Sequence, residues 1–342
     1  MNRDIVVVAV STALFLFGFG CQQQKAVAPP PAVTAEPQPA QARVMVEPNV
    51  PAEPNIQQTR VIEPPPKQPA ESNAAKPQAA PASPASASEL CDRCTEFLSR
   101  YVNQQGMVDY RAIARRKPEL ATLLDRFKTL DQSEYNSWSK EDKIAFWING
   151  YNLEFIKIIL DNYPIESTRV LRLFWPPNSI RHIKGLWNEH KFIIMNEEFT
   201  LKEADERFFQ KEFDEPRVVF AIFYGSISGT PSRNEAYCGD KLSAQLDDQV
   251  RKFLAGPHAF KIDRENKVVY LSSLLQSTWY GQQFVAKYGT DRKFKQQDAS
   301  TKAVLNFLTK YLPPQDVGFL ETSNYTVQYM GYDWTLNERA GQ

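Results

Sequence analysis

The sequence predicts one α+β globular domain behind a long proline-rich tether, and three observations lead there. Residues 22–88 hold 15 of the 24 prolines and contain neither an aromatic residue nor a glycine. Residues 89–342 hold 38 of the 41 aromatics. Within that second part, helical and strand periodicities follow one another without a regular β-α-β alternation, which favours α+β over a parallel-sheet fold. A segment without aromatics cannot bury enough apolar surface to offset an ordering entropy of about 1–2 kcal/mol per residue. The expected organisation is an export signal at 1–20, a lipidated cysteine and disordered Pro/Ala-rich linker at 21–88, and one domain at 89–342. The last part is long enough for a single sizeable core.

The N-terminus reads as an address. Ile5–Phe19 is a 15-residue uncharged run behind Arg3, too short to span a bilayer and suited to the apolar part of an export signal. Gly20-Cys21 follows, as at the lipidation site of a bacterial lipoprotein, although Gly18 stands where a leucine is usual. An ordinary signal peptide cut after Ala28 is the alternative, and Pro29 just beyond it disfavours that cut. Gln22 after the cysteine fits the outer membrane facing the periplasm if the source is Gram-negative. Through the tether, Pro29-Pro30-Pro31 and Pro64-Pro65-Pro66 favour polyproline II, and five basic residues balance five glutamates.

The domain's elements follow in order. Leu120, Leu123, Leu124, Phe127 and Leu130 recur at helical spacing. Ile144–Leu160 is an apolar helix stopped by Asn162-Tyr163-Pro164, and Phe192–Met195 is a short strand. Thr200 and Glu203 form a capping box. Val218–Tyr224, a continuous run of branched and aromatic residues, reads as a buried strand. Leu242, Leu246, Val250, Phe253 and Leu254 make a helical stripe ended by Gly256-Pro257. Phe260–Ile262 and Val268–Leu271 form a hairpin about a polar turn, Val304–Tyr311 a late helix and Tyr325–Tyr332 a final strand.

Charge and residue chemistry then narrow the function. Forty basic and 40 acidic residues cancel, which argues against attachment to nucleic acid or to an acidic membrane by bulk charge. Cys91 and Cys94 have the spacing of a local disulfide or two free thiols at a helix start, leaving Cys238 odd. A second C-x-x-C for zinc is missing, and so is a glycine-rich phosphate loop, so no metal or other cofactor is expected. His182, His190 and His258 are scattered. Gly225-Ser226-Ile227-Ser228-Gly229 lacks serine at its centre and so is not a hydrolase elbow. Asp205 and Glu206 read as acids favoured near a helix start.

Several stretches carry a resemblance. They are Ala145–Asn152, Ser179-Ile180-Arg181, Pro216–Ala221, Arg233–Tyr237, Leu246–Gln249, Trp279-Tyr280 and Tyr332–Asn337. Together they resemble the domain of unknown function 547 family from about residue 95 to 337. The resemblance implies a single α+β domain and no established reaction. It also implies departures. The family's usual histidine is Val219 here, its cysteine is Tyr224, its cysteine-proline element is Gly229-Thr230-Pro231, and its glutamate-histidine pair is Asp205-Glu206. Imidazole and thiolate are the groups that activate and attack near neutral pH, so the chain has lost the residue types such chemistry would need.

The resulting expectation is an envelope protein, held to the membrane by lipid on Cys21, whose domain binds an unknown envelope ligand or protein without catalysis. Trp147, Asn149, Asn152, Arg217, Tyr224, Arg233 and Glu235 are the candidate binding residues, although the asparagines equally suit a core role and the charged residues an ion-pair network. The alternative is an envelope hydrolase or transferase using carboxylates or a serine. Alignment of the four departures predicts that Val219, Tyr224, Gly229 and Glu206 surround one cleft.

Overall fold

In the computed structural model the structure describes residues 87–276 and 284–339, which belong to one compact unit. The export signal, Cys21, nearly all of the tether, and Trp279-Tyr280 lie outside the described residues. The fold is α+β. Five helices come first: α1 (Ala87–Tyr101), α2 (Tyr110–Arg115), α3 (Lys117–Thr129), α4 (Gln132–Ser137) and α5 (Lys140–Asp161). A hairpin of β1 (Lys191–Ile194) and β2 (Glu197–Thr200) leads into α6 (Leu201–Ala204), which continues as a π-helical stretch over Asp205–Glu212. Next come α7 (Leu242–Leu254), β3 (Phe260–Asp263), β4 (Val268–Leu271), α8 (Ala299–Leu308), α9 (Pro314–Thr322) and β5 (Thr326–Tyr329). β3 pairs antiparallel with β4, and β5 joins β4 in parallel. A parallel neighbour requires a crossover, and α8 and α9 supply it.

α5 is the axis of the domain, with α1, α2, α3, α6 and α7 packed against it. Fifteen of its 22 residues are buried, so its apolar surface extends nearly all round rather than along one stripe. Ser139 caps it by accepting from Asp142 N. At Gly150 a Cβ would stand 2.9 Å from both Ile194 Cδ1 and Phe127 Cδ1. Only glycine therefore lets α3 and the β1–β2 hairpin meet on this face. The hairpin turn in return donates from Met195 N to Phe127 O and from Asn196 N to Lys128 O, at 2.9 Å each. Those carbonyls belong to the last turn of α3, where helix carbonyls lack partners of their own.

The capping box forms as the sequence implies: Thr200 Oγ1 accepts from Glu203 N while Glu203 Oε2 accepts from Thr200 N. The β3–β4 hairpin forms too, its turn closed by Asp263 accepting from Asn266 N at 2.9 Å. Val218–Tyr224 is not a strand. Pro216–Phe220 is a 3₁₀ turn, capped by the Glu215 carboxylate on Arg217 N, and the chain beyond it has no regular pairing. A short continuous apolar run signals burial, not strand geometry, and proline two residues ahead suits a helical start.

The cysteines also depart from expectation. Cys91 pairs with Cys238, 147 residues away, across a Cα–Cα distance of 5.7 Å, and not with Cys94. Both helical cysteines face inward, but the 236–238 segment runs over α1 at Cys91, where Thr95 Oγ1 also accepts from Ala236 N. Cys94 is a free thiol with 0% exposure, and burial pushes its pKa far up. Cross-linking a loop of this length removes about 5 kcal/mol of chain entropy from the unfolded state in the simplest treatment. Reduction, or Cys238→Ser, is therefore expected to lower the urea midpoint strongly, whereas Cys94→Ser leaves the reductant-sensitive part unchanged. Equal midpoints with and without reductant in the wild-type chain would contradict this pairing.

Candidate functional site

The segment from 221 to 238 is irregular yet largely buried, so its backbone groups need partners. They find them on side-chain carboxamides. Asn152 Nδ2 donates to Ala221 O at 3.0 Å and its Oδ1 accepts from Phe223 N at 2.7 Å. Three residues earlier on α5, Asn149 Nδ2 donates to Tyr237 O at 2.7 Å and Oδ1 accepts from Tyr237 N at 3.0 Å. From α7, Gln245 bridges Ala236 O and Cys238 N, and Gln249 donates to Pro231 O at 2.6 Å. The C-terminal segment completes the frame: Ile227 N donates to Thr335 O and Ser228 N to Asp333 O.

This geometry assigns the candidate binding residues. Asn149 and Asn152 hold the loop and do not wall a ligand cavity; the crevice beside them measures about 20 Å³, room for roughly one water. Trp147 is fully buried, stacked on Phe208 at 3.4 Å between centroids, with Nε1 donating to Tyr135 OH. Arg217 is paired with Glu215 and Asp247, and Arg233 with Glu235 and Asp248. These are ion-pair networks that tie the loop to α7. Gln245 and Gln249 are not among the candidate residues that the sequence offers, although Gln249 closes the Leu246–Gln249 stretch. Their signal was available: two amides one turn apart beside the apolar stripe of Leu246 and Val250.

Tyr224 touches both Val219 and Gly229, but of the four aligned positions Gly229 alone lines the groove on the outer side of the loop, so they do not surround one cleft. Tyr224 OH donates to Val219 O at 3.2 Å, and a Cβ at Gly229 would lie 2.8 Å from Tyr224 Cβ and 3.2 Å from Ser226 Oγ. The Tyr224 Cβ and Ser226 thus fill the space next to Gly229, and no side chain fits there. Glu206 does not join them. It is half-exposed and ion-paired with Lys202, while its neighbour Asp205 turns inward at the junction of α6 with the π-helical stretch. A widened helix moves side chains off the α-helical face assignment, and such turns recur at functional sites.

Burial raises the Asp205 carboxyl to about 6; Gln210 Nε2, donating at 2.7 Å, and Lys202 oppose the rise, and Glu206 adds to it. The charge of Asp205 is felt by two buried phenols, Tyr151 and Tyr224, which burial already holds well above the ordinary range. Tyr332, also raised by burial, reaches Ser226 Oγ at 2.8 Å. On the inner side of the site the Asp205 carboxyl therefore faces two buried phenols, Tyr151 and Tyr224, and is not an acid exposed at a helix start.

On its outer side, the same loop borders a groove of about 520 Å³. Residues 226–234, Gln104, Gln105, Lys252, His258 and Asn337 line it. Four hydroxyls stand along this loop, and Ser232 Oγ accepts from Asn337 Nδ2 at 3.4 Å. Ser226 meets Tyr332, Ser228 Oγ accepts from Asp333 N at 2.9 Å, and Thr230 Oγ1 donates to Ile222 O at 2.8 Å. His182 and His190 each donate from Nε2 to a backbone carbonyl, of Pro176 and Lys184. No group of three metal-ligating side chains occurs among the described residues.

Residues 135–254 match the model of a family described as "Protein of unknown function, DUF547". The matched span runs from α4 to the end of α7 and contains the whole carboxamide-held loop; the stretch at 332–337 lies beyond it. No curated protein and no solved structure matches the chain.

The raised Asp205 has a consequence for stability. Its folded value of about 6 lies above an unfolded value of about 4. Between those values the folded chain binds a proton that the unfolded chain has released, so this carboxyl makes stability fall as pH rises through the window. The full penalty, about 2–3 kcal/mol, is present near neutral pH. Glu154, raised by burial to about 7, acts in the same direction and extends the window upward. Asp205→Asn is expected to raise the urea midpoint near pH 7 and to leave it nearly unchanged near pH 4. A midpoint near pH 7 that ignores the substitution would contradict the buried placement of Asp205.

Proposed function

We propose that this chain, which carries a DUF547 region over 135–254, is an exported, lipid-anchored envelope protein whose domain binds an envelope ligand or partner protein without transforming it. The apolar run ending at Gly20-Cys21 supports export and anchoring. One observation carries the binding reading: along the groove loop the hydroxyls of Ser226, Ser228 and Thr230 engage Tyr332, Asp333 N and Ile222 O, and Ser232 Oγ accepts from Asn337 Nδ2 at 3.4 Å. A nucleophile needs a base within reach, and these hydroxyls instead brace the loop. Tyr224 packs at the position where a thiol would be expected from the family, and a phenol held protonated is neither base nor nucleophile there. Asn234, Lys252 and His258 line the groove together with Ile227, Pro231, Phe253 and Pro257, a mostly apolar lining with a few polar groups, which suits a binding site.

The hydrolase reading has one observation in its favour, since His258 lines the same groove as Ser228 and Thr230. Incubation of the purified chain with envelope extract distinguishes the two. Binding is expected to retain a component at unchanged mass, with retention lost on Asn234→Trp, which fills the groove. A product of altered mass that disappears in Ser228→Ala would establish the hydrolase. The anchor is tested separately by fractionation. Cys21→Ser is expected to abolish acyl labelling and to leave the export signal uncleaved, whereas a wild-type chain that is soluble and unacylated after export would refute lipidation.

A further inference from the structure

We infer that residues 169–175 form a membrane-contacting tip that seats the domain on an anionic phospholipid surface. The large hydrophobic side chains that stand exposed among the described residues are Val170, Leu171, Leu173 and Phe174, at 66%, 36%, 80% and 65% exposure. All four fall within five consecutive positions, so they form one apolar point and not the usual scatter. The turn is shaped by its own bonds. Leu171–Leu173 is a 3₁₀ turn, Arg172 N donates to Thr168 O, Trp175 N donates to Leu171 O, and Arg172 Nε reaches Ser167 Oγ at 2.7 Å.

Its base is fixed. Trp175 packs over the Arg181 guanidinium at 4.7 Å, with Trp334 at 5.0 Å and Trp187 at 5.7 Å on other sides. Just beyond, Leu336 N donates to Asn178 O, and His182 Nε2 donates to Pro176 O. The apolar side chains therefore project from an anchored platform.

The chemistry selects a bilayer as the occupant. Residues 166–184 hold four basic side chains, Arg169, Arg172, Arg181 and Lys184, against a single acid, Glu166, in a chain whose total charge is zero. Arginines bracketing apolar side chains match the order of a lipid interface, phosphate outside and acyl chain within. A tryptophan at the base fits the headgroup level. A convex turn of five residues cannot by itself supply the roughly 800 Å² per partner of a standard protein interface; a bilayer sets no such minimum. The 65 residues between Cys21 and Ala87 could extend to about 200 Å at about 3.3 Å per residue, so an anchored chain can bring the tip down. Lipid anchoring is stable with two signals, and the tip supplies the second. The inference rests on the proposed membrane location only in needing a bilayer within reach.

The full chain is tested with vesicles of phosphatidylcholine containing about a third phosphatidylglycerol. A polarity-sensitive fluorophore is placed on Leu173→Cys; Cys94, buried and protonated, does not compete for the label. Emission is expected to shift to the blue and to be quenched by nitroxide-bearing lipid, while the same probe on Lys128→Cys in α3 stays aqueous. Phe174→Ser is expected to lower the inserted fraction about tenfold, and Arg169→Glu with Arg172→Glu by at least about tenfold, with loss of salt sensitivity. A vesicle-bound chain whose residue-173 probe remains in water overturns the tip and leaves the anchor standing. A chain that stays with the supernatant overturns both. Vesicle binding by unacylated chain through the tip supports the tip and removes the anchor. A blue shift that grows with protein concentration without vesicles assigns the tip to a second copy and overturns the proposal.

Discussion

The domain depends on two-point hydrogen bonding between side-chain amides and a buried, irregular backbone. A loop from 221 to 238 crosses the core with few backbone partners of its own, and each unsatisfied buried group would cost about 1–3 kcal/mol. Asn149 and Asn152 meet that requirement because a carboxamide carries a donor and an acceptor side by side, as a peptide group does. Their i,i+3 spacing puts both on one face of α5, facing Tyr237 and the 221–223 backbone. Gln245 repeats the device from α7 on Ala236 O and Cys238 N, and Gln249, one turn on, adds a single bond to Pro231 O. An aspartate would lack the donor and a leucine would lack both. The disulfide from Cys91 to Cys238 then secures the end of the same loop against α1.

What the sequence revealed, and what it concealed, divides along the range of the interactions. Helices with one apolar stripe, the capping box at Thr200 and the turn at Asp263–Asn266 are local, and their residues announce them. Val218–Tyr224 misleads because burial from both sides gives the same apolar run whether the chain is extended or turned. Cys91 and Cys94 mislead because spacing shows only near partners, while the real one is brought in by tertiary packing. Asn149 and Asn152 could be recognised as buried amides needing partners, but which backbone they meet is a long-range fact. At Asp205 and Glu206 the sequence shows two acids; the local widening of the helix decides which one turns inward.

At the site, packing occupies positions where the family resemblance would place imidazole and thiol groups. Tyr224 touches Val219 and Gly229, and the contacts are a phenol on a backbone carbonyl and a Cβ against a glycine with no room for a side chain. The titratable group left nearby is Asp205. It is held at a cost to stability near neutral pH, and it sits among phenols that burial keeps protonated. A carboxyl in that setting can accept hydrogen bonds or share a proton. The remaining polarity of the groove is directional and fixed, which is the property recognition requires.

One short segment ties the two surfaces of the domain together. Residues 332–338 pair on one side with the base of the apolar tip, through Ser179 with Thr335 and Asn178 O with Leu336 N. On the other side they pair with the groove loop, through Ser226 with Leu336, Ile227 N with Thr335 O, and Ser228 with Asp333. Trp334 packs against the Arg181 platform while Tyr332, next but one, reaches Ser226. Backbone hydrogen bonds in both directions leave this segment little freedom to bend between them. A tip seated on a bilayer would therefore set the direction in which the groove opens, and the long tether would have no part in that choice. The tether would fix how far the domain can travel, and the tip how it faces on arrival.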